Sequence, residues 1–418
     1  MSEGPRPRRV LISAFNCLPG AGSEHDVGWN WAVQAARYHE VWVLTRELYA
    51  DAIREELSRR PVPNLNFVYQ PVPVNGAIAR TARVVPYAYA SYLAWQAAAL
   101  GRARKLHEQI RFDVAHHLTW ATYRFPTFLA WMEIPFVWGP VGGAERAPRA
   151  VYATLGRRAV LGELLRDASN HIWRYDPLAR RTANRASQIL VTSQQTLEVL
   201  PPWAACKAEI YPAIGLNTDF LDAQVDPAES KGHSNGGRRL LFVGRLVSWK
   251  GCALAIRALA KLERQDVSLT VVGSGPEGRH LEREAHSLGL ANRVRFLGEV
   301  PREEVVRLCR SHDAFVFPSL HDSGGIAVLE AMYFGLPVIC LDLGGPALSV
   351  ADAGIRVECK GGGEQVVTEL ARAFESVLGN RDLHSQLAGR ARRRVVEFYD
   401  WERKAAFIRD LYESTAGR

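Results

Sequence analysis

Short runs of apolar residues recur along the first half of the chain, and the stretches between them carry the apolar spacing of amphipathic helices. Runs of four to six such residues are typical of buried strands. A helix is predicted from about Asp26, directly after the glycine-containing loop Phe15–Glu24. This alternation predicts a parallel sheet with helical crossovers. Its strands are expected at Arg9–Ala14, Val41–Leu44, Leu65–Val68, Val114–Leu118, Phe136–Trp138 and Gln188–Thr192.

A polar segment rich in glycine and serine, Asp222–Arg238, interrupts this pattern and is typical of a linker. Beyond it the alternation restarts, which predicts a second α/β domain. We therefore expect an N-terminal domain over residues 1–221, a linker over 222–238 and a C-terminal domain over 239–400, with ligands in the cleft between the domains. The predicted strands of the second domain are Leu240–Gly244, Val267–Val272, Val294–Phe296, Ala314–Pro318 and Val338–Leu343, and the predicted helices are Gly251–Leu262, Glu277–Leu288, Arg302–Arg310 and Ile326–Phe334.

Length and composition support two domains of a soluble globular protein. The chain has 418 residues, of which 47% are hydrophobic and 23% charged. No window approaches the roughly eighteen apolar residues of a membrane span, and the N-terminus lacks a signal-peptide core. We therefore expect a cytoplasmic protein. The six cysteines are scattered without a CxxC pair, which indicates reduced thiols and no zinc site.

The net charge of +8 is unevenly placed. Ala79–Lys105 holds five basic residues and no acidic ones, interleaved with aromatic residues, and Arg146–Arg185 holds nine arginines. Docking at an anionic membrane surface and binding of nucleic acid are two interpretations; an arginine-rich composition without a role is a third. The chain contains no recognisable nucleic-acid module, so a nucleic-acid partner is not expected.

The segment from Pro318 to Pro346 carries the most unusual chemistry. A strand is followed by the loop Asp322–Gly325, a helix from Ile326, and a second strand. Loop amides and a helix N-terminus at such a junction form an anion site. Glu330 lies among apolar residues in that helix, and a buried carboxylate requires a partner. Hydroxyl groups of a ligand are one natural partner.

Further candidate residues lie where other predicted strands end. Arg245 and Lys250 follow the first strand of the second domain and suit a diphosphate, although two solvated loop charges would have the same pattern. Gly20, Gly22 and Gly28 do not make the dinucleotide fingerprint; they either permit a tight turn or, with Ser23, let the backbone approach a phosphate. His116 and His117 stand near a strand end, where a histidine is either structural or in contact with a ligand.

Arg245 and Lys250, together with Asp322 and Glu330, which have seven residues between them, resemble the signature of family 4 glycosyltransferases, the retaining GT-B enzymes. In that family a glutamate usually stands where this chain has Asp322. The N-terminal half resembles a subgroup of bacterial polysaccharide and glycoconjugate pathways. The resemblance implies a GT-B fold, in which two Rossmann-like domains face each other across a cleft and a C-terminal helix, about 401–418, packs back on the first. It rests on Phe242–Arg245, Lys250-Gly251, Val272–Pro276, Phe296–Gly298, Glu330–Met332 and Gly335–Val338, and on Gly22–Glu24, Gly28-Trp29 and Trp138–Gly143.

The resemblance also assigns roles in transfer of a sugar from a nucleotide-diphosphate sugar to an acceptor hydroxyl. Arg245, Lys250 and loop amides would stabilise the departing diphosphate, Glu330 would hold the ribose, and Asp322 would bind the donor sugar. The strand-end histidine, for which we select His116 with His117 as the alternative, would contact the same sugar. No metal and no cofactor would take part. The remaining donor-binding positions are Gly22, Ser23, Gly244, Gly273, Val300, Ser323, Gly324, Gly325 and Ile326.

Two other functions share this fold. One is a nucleotide-sugar epimerase, and the other is a sugar-nucleotide-binding subunit that has lost catalysis, which the aspartate at position 322 keeps open. The expected partners are a nucleotide sugar and a glycan, lipid-linked or small-molecule acceptor. The basic stretches add an expected peripheral contact with the inner face of the membrane.

Overall fold

The computed structural model describes residues 6–73, 85–120, 122–173, 175–223 and 238–417. The predicted linker therefore lies largely outside the described residues, as does the start of the basic stretch Ala79–Lys105. The strands are β1 Arg9–Ala14, β2 Glu40–Arg46, β3 Leu65–Gln70, β4 Val114–Thr119, β5 Phe136–Val141, β6 Gln188–Val191, β7 Ala208–Ile210, β8 Arg238–Val243, β9 Val267–Val272, β10 Val294–Gly298, β11 Ala314–Phe317, β12 Val338–Leu341 and β13 Gly354–Val357.

The helices alternate with these strands, as the sequence pattern predicts. Short 3₁₀ turns add Glu47–Tyr49, Phe128–Trp131, Arg149–Thr154 and Ser248–Lys250. The α-helices are α1 Ser23–Ala35, α2 Ala50–Arg59, α3 Val85–Ile110, α4 Arg157–Trp173, α5 Pro177–Arg185, α6 Gln194–Val199, α7 Pro202–Ala205, α8 Thr218–Ala223, α9 Cys252–Ala260, α10 Gly278–Ser287, α11 Arg302–Ser311, α12 Ile326–Tyr333, α13 Gly344–Val350, α14 Gly363–Gly379, α15 Arg381–Phe398 and α16 Trp401–Ala416.

The chain forms two compact units, each built on one parallel sheet. Unit 1 comprises residues 1–144, 170–214 and 401–418, and unit 2 comprises residues 145–169 and 215–400. The sheet of unit 1 has the order β3-β2-β1-β4-β5-β6-β7, and that of unit 2 has the order β10-β9-β8-β11-β12-β13. In both sheets the order reverses beside the first strand, and ligands of open α/β sheets bind at such a switch point.

The core of unit 1 explains two features of its sequence. The centre of strand β1 is apolar because helices cover both faces of the sheet, and its residues Val10–Ile12 are fully buried. Tyr92 and Trp95 of α3 are also fully buried. The aromatic residues at these two positions are therefore core residues, which corrects their interpretation as part of a basic surface. The C-terminal helix α16 packs on α1.

Unit 2 includes the segment 145–169, which the sequence analysis counted with the N-terminal domain. Val151 in this segment is fully buried in the core cluster that contains Phe374 of α14. The carbonyl oxygen of Thr154 accepts a hydrogen bond of 2.8 Å from Nη1 of Arg257 on α9. Apolar burial and this hydrogen bond join the segment to unit 2, although it precedes the strands β6 and β7 of unit 1.

Candidate functional site

The candidate site in unit 2 lies at the edge of the sheet where the parallel strands end. The strands β8 and β11 are neighbours in the sheet. After β8 the chain continues to β9 on one side, and after β11 it continues to β12 on the other side. Arg245 and Lys250 follow β8, and the loop Asp322–Gly325 follows β11. The fold therefore brings together, at the switch point, residues that are more than seventy positions apart.

Lys250 and Asp322 form an ion pair between Nζ and Oδ2, and their side chains are 20% and 16% exposed. The Lys250 ammonium group also lies 5.0 Å from the centroid of the Phe317 ring. Sequence reasoning placed both residues in the site and did not predict that they pair. In this structure Asp322 neutralises a cation that was assigned to a diphosphate.

Gly251 fixes the position of Lys250. Its φ of +73° is in the left-handed region, and a Cβ atom at this position would lie 1.9 Å from the carbonyl oxygen of Pro318. The turn that carries Lys250 can therefore approach the end of β11 only because position 251 has no side chain. This close approach places Lys250 beside the Asp322 loop.

Arg245 differs from Lys250 in having no side-chain partner among the described residues. Its side chain is exposed, and it forms no ion pair or side-chain hydrogen bond with any residue of the described ranges. A guanidinium group offers a planar fork of donors that suits two oxygens of a phosphate. Arg245 is thus an available cation at the edge of the sheet.

The loop after β11 presents backbone donors next to these cations. Gly325 has a φ of +109° and is the residue before the first turn of α12. Oδ1 of Asp322 accepts a hydrogen bond of 3.4 Å from the amide of Gly324, and the Asp322 carbonyl accepts one of 2.7 Å from the amide of Gly345. The amides of Ser323, Gly325 and Ile326 donate to no group among the residues that the structure describes. Free amides at a helix N-terminus form an anion site.

Glu330 is 8% exposed, and Oε1 accepts a hydrogen bond of 2.7 Å from Nη2 of Arg302. Burial of this carboxylate alone predicted a ligand as its partner, but Arg302 at the start of α11 already supplies a charged partner. Arg302 was not predicted as a site residue, because it is the first residue of a predicted amphipathic helix and no sequence pattern links it to Glu330. A ribose contact by Glu330 stays a prediction.

The glycine turns after β8 and β9 pack directly on each other. The amide of Gly244 donates to the carbonyl of Val272 at 3.0 Å, and that of Gly273 donates to the carbonyl of Gly298 at 2.7 Å. A Cβ atom on Gly273 would lie 2.0 Å from the Gly244 carbonyl oxygen. The turn before Val300 is thereby aligned with the other two. Three of the predicted donor-binding positions thus share one edge with Arg245.

A buried pair that sequence reasoning did not find lies next to this edge. Nε2 of His321 is 2.8 Å from Oε1 of Glu163 on α4, and both side chains are 8% exposed. The His321 ring stacks on Trp249, with centroids 5.6 Å apart and an interplanar angle of 17°. His321 and Trp249 directly precede Asp322 and Lys250 in the chain. The segment 145–169 therefore supports the two residues that form the ion pair.

The predicted positions of unit 1 lie at the loop after β1. Gly22 has a φ of +72° and precedes α1, and Ser23 also has a positive φ, of 53°. Nδ2 of Asn16 donates to Glu24 at 2.6 Å, and Nη2 of Arg46 donates to Asn16 Oδ1 at 2.7 Å. Burial lowers the pKa of Arg46 to about 10, and Glu24 opposes this shift. The loop is thus held by a polar network that extends to the end of β2.

His116 is fully buried in unit 1. Nδ1 lies 2.7 Å from the hydroxyl of Tyr412, and Nε2 lies 2.5 Å from the carbonyl oxygen of Gly139. Nε2 therefore donates to Gly139, and Nδ1 accepts from Tyr412, whose oxygen accepts from Nε1 of Trp31 at 2.9 Å. Burial lowers the pKa of His116 to about 4. This geometry is that of a structural histidine, and contact between His116 and a donor sugar stays a prediction.

His117, the alternative, lies on the other face of β4. It is 1% exposed, and Nε2 is 3.3 Å from the hydroxyl of Tyr92 on α3. Burial lowers its pKa to about 3. Both histidines are therefore enclosed by core side chains, one on each face of the sheet.

The described ranges contain neither a metal-binding cluster nor a membrane-spanning helix. Within these ranges, no group of three or more His, Cys, Asp or Glu side chains could hold a metal ion. No helix among the described residues is long and apolar enough to cross a membrane.

Comparison with protein families adds a sequence relationship for the second unit. Residues 227–394 match the family described as glycosyl transferases group 1. An uncharacterised glycosyltransferase of Methanocaldococcus jannaschii is 31% identical over 195 residues, 46% of this chain and 49% of the relative. The 2-deoxystreptamine glucosyltransferase of Streptomyces kanamyceticus is 28% identical over 302 residues, 68% of this chain and 73% of the relative. The chain spans about half the length of the first curated relatives it matches.

Solved structures extend the similarity to nearly the whole chain. WaaG, a glycosyltransferase involved in lipopolysaccharide biosynthesis, has a TM-score of 0.59 at 22% identity and covers 96% of this chain and 99% of its own. HepE of Anabaena, in complex with UDP-glucose, has a TM-score of 0.59 at 16% identity, with 98% and 99% covered. Together with the two parallel-sheet units, these similarities confirm the fold class predicted from the sequence: the chain has the GT-B fold.

Proposed function

We propose that the chain is a retaining glycosyltransferase that moves a sugar from a nucleotide-diphosphate sugar to an acceptor hydroxyl, in polysaccharide or glycoconjugate biosynthesis. The observation that carries this proposal is the set of donors at the carboxyl edge of the unit 2 sheet. Among the residues that the structure describes, Arg245 is exposed without a side-chain partner, Lys250 lies near it in sequence, and three amides of the loop after β11 have no acceptor. Such a set complements a diphosphate.

The positive charge of these hydrogen-bond donors suits the departing diphosphate. When the bond between the sugar carbon and the diphosphate oxygen breaks, the electron pair goes to the diphosphate, which gains negative charge. Arg245, Lys250 and the amides of Ser323, Gly325 and Ile326 would stabilise that charge. No metal ion is required for this step, because fixed cations and amides already supply the positive charge.

The acceptor completes the reaction. Its hydroxyl oxygen forms the new bond to the sugar carbon, and its proton passes to the oxygen of the leaving diphosphate. Attack from the face that the diphosphate leaves preserves the configuration of that carbon, as the resemblance implies. In this proposal Asp322 first holds Lys250 and then shares it with the diphosphate, while Glu330 holds the ribose hydroxyls from its position beside Arg302.

Nucleotide sugars with different bases, screened by thermal shift and then by turnover, test this proposal. A bound donor stabilises the native state in proportion to ln(1+[L]/Kd), so one class among UDP, GDP and ADP sugars is expected to raise Tm. Turnover with an acceptor should release the nucleoside diphosphate. An epimerase would change the sugar while it stays on the nucleotide, and an inactive subunit would bind without turnover. The proposal fails if none of the three classes raises Tm.

A further inference from the structure

Helix α4 is oriented with its polar side buried and its apolar side exposed. Leu161, Leu164 and Leu165 are 58%, 46% and 63% exposed, whereas Glu163 between them is 6% exposed. In a helix packed on a globular core, the apolar stripe normally faces inwards. Here the opposite arrangement holds over the part of the helix that belongs to unit 2.

Specific polar contacts explain why the helix has this orientation. Glu163 lies against His321 at 2.8 Å. Arg166 donates to the Glu145 carbonyl at 3.2 Å, and Asp167 accepts a hydrogen bond of 3.4 Å from the hydroxyl of Tyr152. Rotation of the helix to bury its leucines would break all of these contacts. The polar side is therefore fixed inwards, and the leucines are held in solvent.

The exposed residues form one continuous stripe. At about 100° per residue, Arg157, Arg158, Leu161, Leu164, Leu165 and Ala168 fall within an arc of roughly 120° on the helix. The two acids of the helix in this range, Glu163 and Asp167, lie outside that arc. The stripe is thus apolar and basic without a negative charge. Exposed apolar patches of this kind mark interaction surfaces.

From this arrangement we propose that the exposed stripe of α4 docks on an anionic lipid surface. The leucines match the acyl boundary of a bilayer, and Arg157 and Arg158 match the headgroup phosphates. A second copy of the chain is a poorer match, because the same stripe on the partner offers no acid with which Arg157 and Arg158 could pair. The proposal does not depend on glycosyl transfer.

Vesicle co-sedimentation tests the proposal with the full chain. We expect wild type to pellet with vesicles of phosphatidylcholine and phosphatidylglycerol, to bind pure phosphatidylcholine less, and to be released when salt rises from about 0.1 M to about 0.5 M. The triple variant Leu161→Gln, Leu164→Gln and Leu165→Gln should bind on the order of tenfold more weakly. The pair Arg157→Gln and Arg158→Gln should bind anionic vesicles more weakly and lose the dependence on salt.

Matched controls separate the stripe from general exposure and charge. Leu48→Gln with Leu288→Gln replaces other exposed leucines, and Arg372→Gln with Arg393→Gln removes the same charge elsewhere; neither should change binding. Circular dichroism and Tm verify that the variants fold. Wild-type binding by the leucine variant, or no binding of wild type to anionic vesicles, would overturn the proposal. A wild-type dimer that the leucine variant converts to a monomer would overturn it in favour of a second copy.

Discussion

His321 and Glu163, which are 158 positions apart, meet at 2.8 Å in the interior of unit 2. The contact joins α4 to the residue that directly precedes Asp322. It therefore supports the loop position from which Asp322 pairs with Lys250. Replacement of Glu163 by Ala leaves a buried ring nitrogen unpaired and should lower the free energy of unfolding by about 1–3 kcal/mol. Glu163→Gln keeps a hydrogen-bonding group and should lower it less.

Urea unfolding measures this difference. The control is Glu282→Ala, which removes an exposed carboxylate from α10 and should have little effect. If Glu163→Ala unfolds at the same urea concentration as wild type, the contact does not support unit 2.

Gly251 provides a second prediction, because Gly289 has the same φ of +73° but no atom within 4 Å of its Cβ position. Gly289→Ala should cost about 1 kcal/mol of stability through backbone strain alone. Gly251→Ala adds a steric clash with Pro318, so it should cost more stability than Gly289→Ala. It should also weaken nucleoside diphosphate binding by displacing Lys250. Titration calorimetry and urea unfolding of both variants measure the two effects. Equal behaviour of the two variants would show that the close approach at Gly251 is unimportant.

Replacement of Asp322 by Asn should strengthen product binding and lower turnover. Asp322→Asn removes the charge that neutralises Lys250, so a nucleoside diphosphate should bind more tightly, by roughly three- to tenfold. Transfer should fall, because the variant lacks the carboxylate that we propose binds the donor sugar. Calorimetry and a transfer assay on the same preparation measure both quantities. Weaker diphosphate binding by this variant would mean that Asp322 positions Lys250 and does not compete for it.

Burial of His116 should make the free energy of unfolding depend on pH. Its pKa falls from 6.5 to about 4 on folding, so between these values the unfolded chain binds a proton that the folded chain does not. Stability is therefore retained above pH 6.5 and lost as the pH falls towards 4, by up to about 3 kcal/mol. Tm measured from pH 7 to pH 4.5 should fall less steeply for His116→Gln than for wild type. His171→Gln, an exposed control, should follow the wild-type curve; a wild-type slope in His116→Gln would contradict the prediction.

The sequence was sufficient for the elements that carry a local signal. The strand predicted at Val114–Leu118 is observed at Val114–Thr119, and the helix predicted at Ile326–Phe334 is observed at Ile326–Tyr333. Apolar runs and the glycine after a helix determine these limits locally. The same local signals placed Arg245 and Lys250 after one strand and the Asp322 loop after its neighbour in the sheet.

Contacts between distant segments could not be predicted in this way. The pairing of Glu163 with His321, of Arg302 with Glu330, and of Lys250 with Asp322 depends on the packing of helices and loops. The hydrogen bond at Nδ1 of His116 likewise depends on Tyr412 from the last helix. These contacts arise from tertiary structure, for which a single sequence has no periodic signature.

The central claim is that Arg245 and Lys250 bind a diphosphate. Titration of the nucleoside diphosphate selected by the thermal screen into wild type, Arg245→Ala and Lys250→Ala tests it most directly. A lost charge-assisted hydrogen bond corresponds to about 1.5–3 kcal/mol, so each variant should raise Kd on the order of tenfold or more. Arg372→Ala and Lys360→Ala, which remove exposed cations elsewhere in unit 2, should leave Kd unchanged. Wild-type Kd values for both Arg245→Ala and Lys250→Ala would contradict the proposed site.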